Sequence, residues 1–144
     1  MPKERQSQQN HSLVVTTRSA IDKAHTVFLR WVEAVSTRDI DTVLALYVED
    51  AFLVPTLQNK ICSTTQDRCL YFEMLFGNPD LNCRVDEWYA RSNHNQKTVV
   101  LSGLYTFTFT VDKSRQTIPA RFIFTFECIN SKWLITGHHS SQFI

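Results

Sequence analysis

At Gly77-Asn78-Pro79-Asp80 the apolar residues of this chain change their spacing, and that change restricts the fold more than any other feature. Before it they recur in steps of three and four, the period of a helix; after it they recur in steps of two, the period of a strand. Four β segments are expected beyond the switch, over Asn82–Ser92, Thr98–Val111, Thr117–Glu127 and Lys132–Ser141. The breaks between them, Asn93-His94-Asn95, Asp112-Lys113-Ser114-Arg115 and Asn130-Ser131, are short and polar, which suits hairpin turns. No helical stretch separates the strands, so they should pair as an antiparallel meander. Tyr105, Phe107 and Phe109 alternate with Thr106, Thr108 and Thr110, and Phe122, Phe124 and Phe126 repeat the device one strand later.

Ahead of the switch, Ile21, Ala24, Val27/Phe28, Trp31/Val32 and Val35 form one apolar stripe, with Lys23, Arg30 and Glu33 outside it. Ser19 is a suitable N-cap for that helix. Asp39 suits the start of a second, shorter helix whose buried side is Ile40, Val43, Leu44, Leu46 and Tyr47. Glu49-Asp50 interrupts the pattern, and Ala51–Val54 reads as a short strand ended by Pro55. A third helix fits from Thr64 or Thr65 to Phe76, with Leu70, Tyr71, Met74 and Leu75 among its apolar positions and Phe72 and Phe76 as further core. Residues 1–17 are polar apart from Leu13-Val14-Val15 and read as a mobile arm; residues 18–144 read as one α+β domain in the order α-α-β-α-β-β-β-β.

Composition narrows the function classes. With 15 Lys+Arg against 14 Asp+Glu there is no basic excess of the kind that phosphate contacts demand, so neither nucleic acid nor a membrane surface is an expected partner. No run approaches the ~18 apolar residues of a spanning segment. The opening MPKERQSQQNHS lacks a signal peptide's apolar core, which makes a cytoplasmic location the expectation. The four cysteines, Cys62, Cys69, Cys83 and Cys128, have neither CxxC nor zinc spacing and are expected as reduced thiols. With three glycines in the chain, there is no dinucleotide fingerprint, and no nicotinamide, flavin or metal is expected.

Three helices cannot cover both faces of a long twisted sheet. The sheet is therefore expected to curve round the helices as an open-mouthed cone, with its outer face available to a second copy. YVEDAFLVPT, YFEMLF, SGLYTFTF, IPARFIFTFE and the terminal KWLITGHHSS, in that order, resemble the nuclear transport factor two-like (SnoaL-like) superfamily. Within it the chain looks like stand-alone bacterial, SgcJ/EcaC-type relatives of the calcium/calmodulin-dependent kinase II association domain. That resemblance runs from Ser19 to the C-terminus. It implies a cone-shaped α+β barrel, dimerisation or larger rings through the outer sheet face, and an arginine-containing pocket for a small organic carboxylate. The kinase's own Gly-rich loop, HRD and DFG motifs are absent from the sequence.

Against that background Arg121, following Ile118-Pro119-Ala120 and opening an apolar strand, is the candidate anion clamp. Its alternative is an exposed arginine at a strand end with its stem on the sheet. His138 and His139 fall on opposite faces of the last strand. His139 shares parity with Trp133, Ile135, Gly137 and Ser141, which makes His139 the candidate acid–base or ligand contact and Ser141 its neighbour. A structural histidine held by hydroxyls is the alternative reading. Trp31, Tyr47, Tyr71 and Tyr105 are read between helices and sheet, as core or as pocket wall. Asp86, Glu87 and Glu127 are either a general base facing the cone or a solvated rim. The chain is accordingly expected to be a self-associating domain that binds a small organic anion through Arg121, His139, Ser141, Trp31, Tyr47 and Tyr105. The other function is a cofactor-free isomerase, dehydratase or cyclase for a polyketide- or steroid-like substrate, with His139 or an acidic strand residue as base.

Overall fold

A computed structural model describes residues 3–6 and 11–143, with side chains from residue 19 onward. Its helices are α1 (His11–Thr37), α2 (Ile40–Ala45) and α3 (Thr65–Phe76), and its strands are β1 (Lys3–Gln6), β2 (Tyr47–Val54), β3 (Asn82–Ser92), β4 (Thr98–Val111), β5 (Ser114–Ile129) and β6 (Lys132–Gln142). They form one curved, unclosed sheet in the order β1-β3-β4-β5-β6-β2. β3 to β6 make the expected antiparallel meander, while β1 and β2 add to its edges in parallel. The stripe on α1 packs against β3, β4 and β6.

The helix begins at His11, so Ser19 lies inside it rather than capping it; no glycine or proline occurs between residues 11 and 37 to stop the helix extending. Strand β1 and the first turns of α1 fall in the stretch read as an arm, whose residues 1–2 and 7–10 lie outside the described residues. Asp39 caps α2 as expected, and the third helix, expected to start at Thr64 or Thr65, is capped by Thr64. Asp39 accepts the backbone N–H of Thr42 at 3.1 Å, and Thr64 accepts that of Asp67 at 3.0 Å. Two tight hairpins close on Asp112-Lys113 and Asn130-Ser131, all four residues with positive φ, the geometry of the turn that matches strand twist.

α3 buries Arg68, Tyr71, Phe72 and Leu75, an i, i+3, i+4, i+7 stripe, whereas Leu70 and Met74, read as apolar positions of that face, are exposed. The interior is aromatic and filled. Phe28 lies 5.1 Å from Phe122 and 5.3 Å from Phe124, centroid to centroid, Trp31 lies 5.2 Å from Phe124, and Tyr105 lies 4.6 Å from Phe122. Gly103 faces this interior opposite Trp88, just past the bulge in β3 between Val85 and Glu87. A Cβ there would stand 2.1 Å from the Glu87 carbonyl oxygen, so only glycine permits this close approach.

Candidate functional site

A bulge in the last strand decides which of its residues look inward. Phe126 pairs with Ile135, but the next partner, Thr125, pairs with Gly137, which leaves Thr136 as an extra residue in β6. One unpaired residue reverses the alternation beyond it. Ile135 faces the interior before the bulge, and His138 and Ser140 face it afterwards, both buried. His139 is exposed on the outer face and Ser141 is half-buried beside it. This corrects the parity expected for His139 and Ser141, which instead line an open groove with Lys60 and Ile61. Arg121 pairs with Ser141 and is likewise exposed on the outer face, its Nε donating to Ser141 Oγ at 3.3 Å. An acid held inside the cone would not meet it. Glu87 and Glu127 sit on the outer face too, and Asp86, at the bulge of β3, accepts a hydrogen bond from Thr106 and pairs with Arg84 at 2.7 Å. No aspartate or glutamate is buried among the described residues.

Trp31, Tyr47 and Tyr105 are inside, as expected, and they converge on His138. Trp31 Nε1 donates to the Tyr47 hydroxyl at 3.0 Å, which is 2.9 Å from His138 Nδ1. The Tyr105 hydroxyl is 3.1 Å from His138 Nε2 and donates to Ser140 Oγ at 2.6 Å. Ser140 Oγ in turn meets Thr56 Oγ1. The imidazole lies flat on Phe124, with centroids 3.7 Å apart and planes inclined by 14°. Burial, with a smaller contribution from the charge of His139, holds His138 well below the ordinary histidine range and so neutral. Burial likewise pushes the hydroxyls of Tyr47 and Tyr105 well above the usual tyrosine range. Each buried polar atom of this group has a partner, the condition under which such a network fixes one geometry rather than weakening the core.

Arg68 holds the near wall in place. Between Tyr47, opposite Ile135, and Phe52, opposite Gly137, β2 leaves the ladder. Arg68, itself 1% exposed, reaches across to the carbonyls set free: it donates to Ala51 O at 2.7 Å, Val48 O at 3.0 Å and Glu49 O at 2.9 Å. Its guanidinium carbon also stands 5.5 Å from the centroid of the Tyr47 ring. Sequence reasoning passed over Arg68 because a charged residue on a helix is expected to face water.

Thr56 marks where the polar chain reaches the surface. It belongs to a loop pinned by a bridge between Leu53 and Cys62, whose backbone groups exchange hydrogen bonds of 2.9 and 2.8 Å. Beside it Leu57, Tyr71, Leu75, Phe107 and Ile118 complete a narrow recess of about 10 Å³, room for a single water molecule. Its walls are apolar except for the Thr56 hydroxyl and the Tyr71 ring's polar tip. Among the described residues no group of three or more His, Cys, Asp or Glu side chains could hold a metal ion, and no helix is long and apolar enough to cross a membrane.

Comparison with known proteins agrees with this architecture. The SnoaL-like domain model matches residues 24–144, and the chain belongs to that family. No curated protein matches it. Among solved structures, a protein from Xanthomonas campestris named for the calcium/calmodulin dependent protein kinase II association domain is 27% identical, with a TM-score of 0.76 over 99% of this chain and 95% of that one. An NTF2-like protein of unknown function from Pseudomonas putida KT2440 is 18% identical, with a TM-score of 0.77 over 87% of each chain. A protein from Novosphingobium aromaticivorans that carries the name scytalone dehydratase is 8% identical, with a TM-score of 0.80 over 91% of this chain and 89% of that one. The latter two are likenesses of fold.

Proposed function

We propose that this SnoaL-like chain is a self-associating domain that binds a small, largely apolar organic molecule at the mouth of its cone, where the ligand parts the side chains round a recess that is water-sized in this structure. The observation that carries the reading is the run of hydroxyls from buried His138 through Tyr105 and Ser140 to Thr56, ending at the wall of an otherwise apolar recess. An apolar cleft with a few well-held polar groups, here the hydroxyls of Thr56 and Tyr71, is the usual make-up of a small-molecule site. The ligand is uncharged on this reading, because Arg121 stands on the other side of the sheet and no buried side chain but Arg68, already committed to carbonyls, carries a charge there.

Self-association is supported by the outer face of the sheet. Phe52 is 59% exposed, Ile123 45% and Tyr89 37%; β6 lies between Phe52 and Ile123, and β4, with half-buried Leu104 and Val100 on the same face, lies between Ile123 and Tyr89. Apolar surface gathered on one face is where a second copy would be expected to pack. The kinase-association name borne by the Xanthomonas campestris protein points the same way.

A second reading, a cofactor-free isomerase, dehydratase or cyclase, draws on one specific observation. A neutral imidazole held between two tyrosine hydroxyls is a competent acid–base pair once a substrate replaces one of its partners. One experiment addresses both parts of the proposal: methyl-labelled full-length protein titrated with a library of small neutral organic molecules, with the mass in solution measured by light scattering. Shifts confined to Leu57, Leu75 and Ile118, together with the mass of a dimer or larger that falls to a monomer on combining Phe52→Glu with Ile123→Glu, are expected. A silent recess refutes the ligand site, and a monomeric wild type refutes the self-association.

A further inference from the structure

Strand β5 carries opposite charges at the two ends of its outer face. Its outward residues are Arg121, Ile123, Thr125, Glu127 and Ile129, alternating with buried Phe122, Phe124 and Phe126. Arg121 donates to Ser141 and forms no ion pair among the described residues. Glu87 stands in the same row, two strands away across Leu104, and accepts the Tyr89 hydroxyl instead. Glu127, between Thr98 and Leu134, likewise forms no ion pair among the described residues. It borders an open hollow in the outer face together with Asp50, Phe52 and Ile129, so two carboxylates flank one hollow beside an aromatic ring. Six positions along a strand span about 20 Å, so Arg121 cannot reach Glu127 within one copy.

We infer that a second copy supplies the missing partner: two sheets stack outer face to outer face about a two-fold axis crossing β5 at the level of Phe124, and Arg121 of each copy enters the acidic hollow of the other. The inference rests on the reading of the chain as self-associating and gives that association a geometry. A two-fold interface is self-complementary, and between stacked sheets its axis lies in the plane of contact. Aligned sheets keep their strands within about 30° of each other, so the axis runs either along β5 or across it. Along β5, Arg121 meets the partner's Arg121 and Glu127 meets the partner's Glu127, like charge on like charge. Across β5, the strand lies over its copy in reverse. Arg121 then faces the partner's Glu127, and the contact occurs twice. In the same arrangement Ile123 faces the partner's Thr125, and His139, level with Ile123, faces the partner's Gly137, which puts no side chain in its way. An orthogonal crossing carries each charge off the other's strand. Covering either charge without a counter-charge is costly, and of these arrangements the crosswise axis is the one that pairs both. The guanidinium also suits the hollow, since it can bind a carboxylate through two N–H groups while lying against the Phe52 ring.

Sedimentation equilibrium of the full-length protein over a dilution series tests the pairing with four proteins: wild type, Arg121→Glu, Glu127→Arg and the variant carrying both changes. Either single reversal sets like charges together at two places and should weaken the dimer at least about tenfold. The double variant exchanges the two charges, and its dimer should return to within about threefold of the wild type. An equimolar mixture of the two single variants should likewise form a mixed dimer stronger than either variant forms alone, because each contact then joins opposite charges. Arg121→Gln and Glu127→Gln remove a charge without reversing it; they should weaken the dimer in the same direction and serve where a reversed variant does not fold. Single reversals that leave the dimer unchanged, or a double variant no stronger than the single ones, would overturn the crosswise pairing while leaving self-association in place. A wild type that stays monomeric refutes the self-association itself, and the pairing with it.

Discussion

Moving this protein from pH 8 to pH 5 sets the solvation of one imidazole against its burial. His138 is held neutral in the folded state, its pKa displaced well below the usual histidine value of 6.5, first by burial and then by His139. In the unfolded chain it titrates near that usual value. Below pH 6.5 the unfolded state therefore binds a proton that the folded state refuses, and stability falls as the pH falls. The contribution is fully present above 6.5 and is lost at about 1.4 kcal/mol per pH unit until the folded pKa is reached. By pH 5 the loss amounts to up to about 2 kcal/mol relative to pH 8, its full size when the folded ring stays neutral throughout, a large share of the ~5–15 kcal/mol of a typical domain. The exposed carboxylates of Asp39, Asp67 and Asp80 are held below the usual carboxylate range by their hydrogen bonds, so their own loss of stability on protonation belongs to more acid solutions. Urea unfolding followed by tryptophan fluorescence at half-unit steps gives the slope. His138→Gln retains a donor and an acceptor but cannot charge, and the other histidines remain in both proteins. The difference between the two stability curves should therefore carry the 2 kcal/mol. Parallel curves, or a wild type that gains stability towards pH 5, would refute the assignment of a buried neutral ring.

Two further substitutions test the supports of the site. Gly103→Ala places a methyl 2.1 Å from the Glu87 carbonyl oxygen and 2.9 Å from Phe122 Cζ. With backbone on one side and a packed ring on the other, it should cost about 3 kcal/mol, read as a lower urea midpoint at unchanged slope; a shift of less than ~1 kcal/mol would show that the β3 bulge yields easily. Arg68→Met removes the donors to Val48, Glu49 and Ala51 and orphans carbonyls in a strand already out of the ladder. A loss of at least about 3 kcal/mol is expected, with Arg68→Lys recovering part of it, because an ammonium has no planar fork to span several oxygens. A stable methionine variant would mean that Tyr47 is placed without Arg68.

Much of the fold could be read directly. β3 and β4 have the boundaries that alternation implies, the stripe on α1 runs through Ile21, Ala24, Phe28, Trp31 and Val35, and Asp39 and Thr64 cap the helices they precede. These features are local: a period, a cap or a turn is decided by residues a few positions apart. The buried stripe of α3 was harder, since Arg68 occupies an inward position that Leu70 and Met74 do not. Nothing near Arg68 in the sequence reveals it, because its partners are carbonyls released by an irregularity in a different element, β2.

The site itself turned on one residue. The ending His138-His139-Ser140-Ser141 is doubled, so either parity of the last strand sends a histidine and then a serine into the cone. Alternation counted from Trp133 and Ile135 selects His139 and Ser141, and the bulge at Thr136 selects His138 and Ser140 instead. Gly137 was the available signal, since a lone glycine inside a strand often marks such a bulge. The consequence is more than an exchange of neighbours. Had the strand kept its register, His139 would face inward opposite Phe122, and His138 would stand outward opposite Ile123, on the face that carries Arg121. With the bulge, the interior holds a neutral, fully partnered hydroxyl–imidazole chain, while Arg121, His139 and Ser141 lie together on the face that a second copy would cover. One inserted residue thus separates the neutral hydroxyl–imidazole chain of the cone from the charged surface of the sheet, and the proposal of an uncharged ligand rests on that separation.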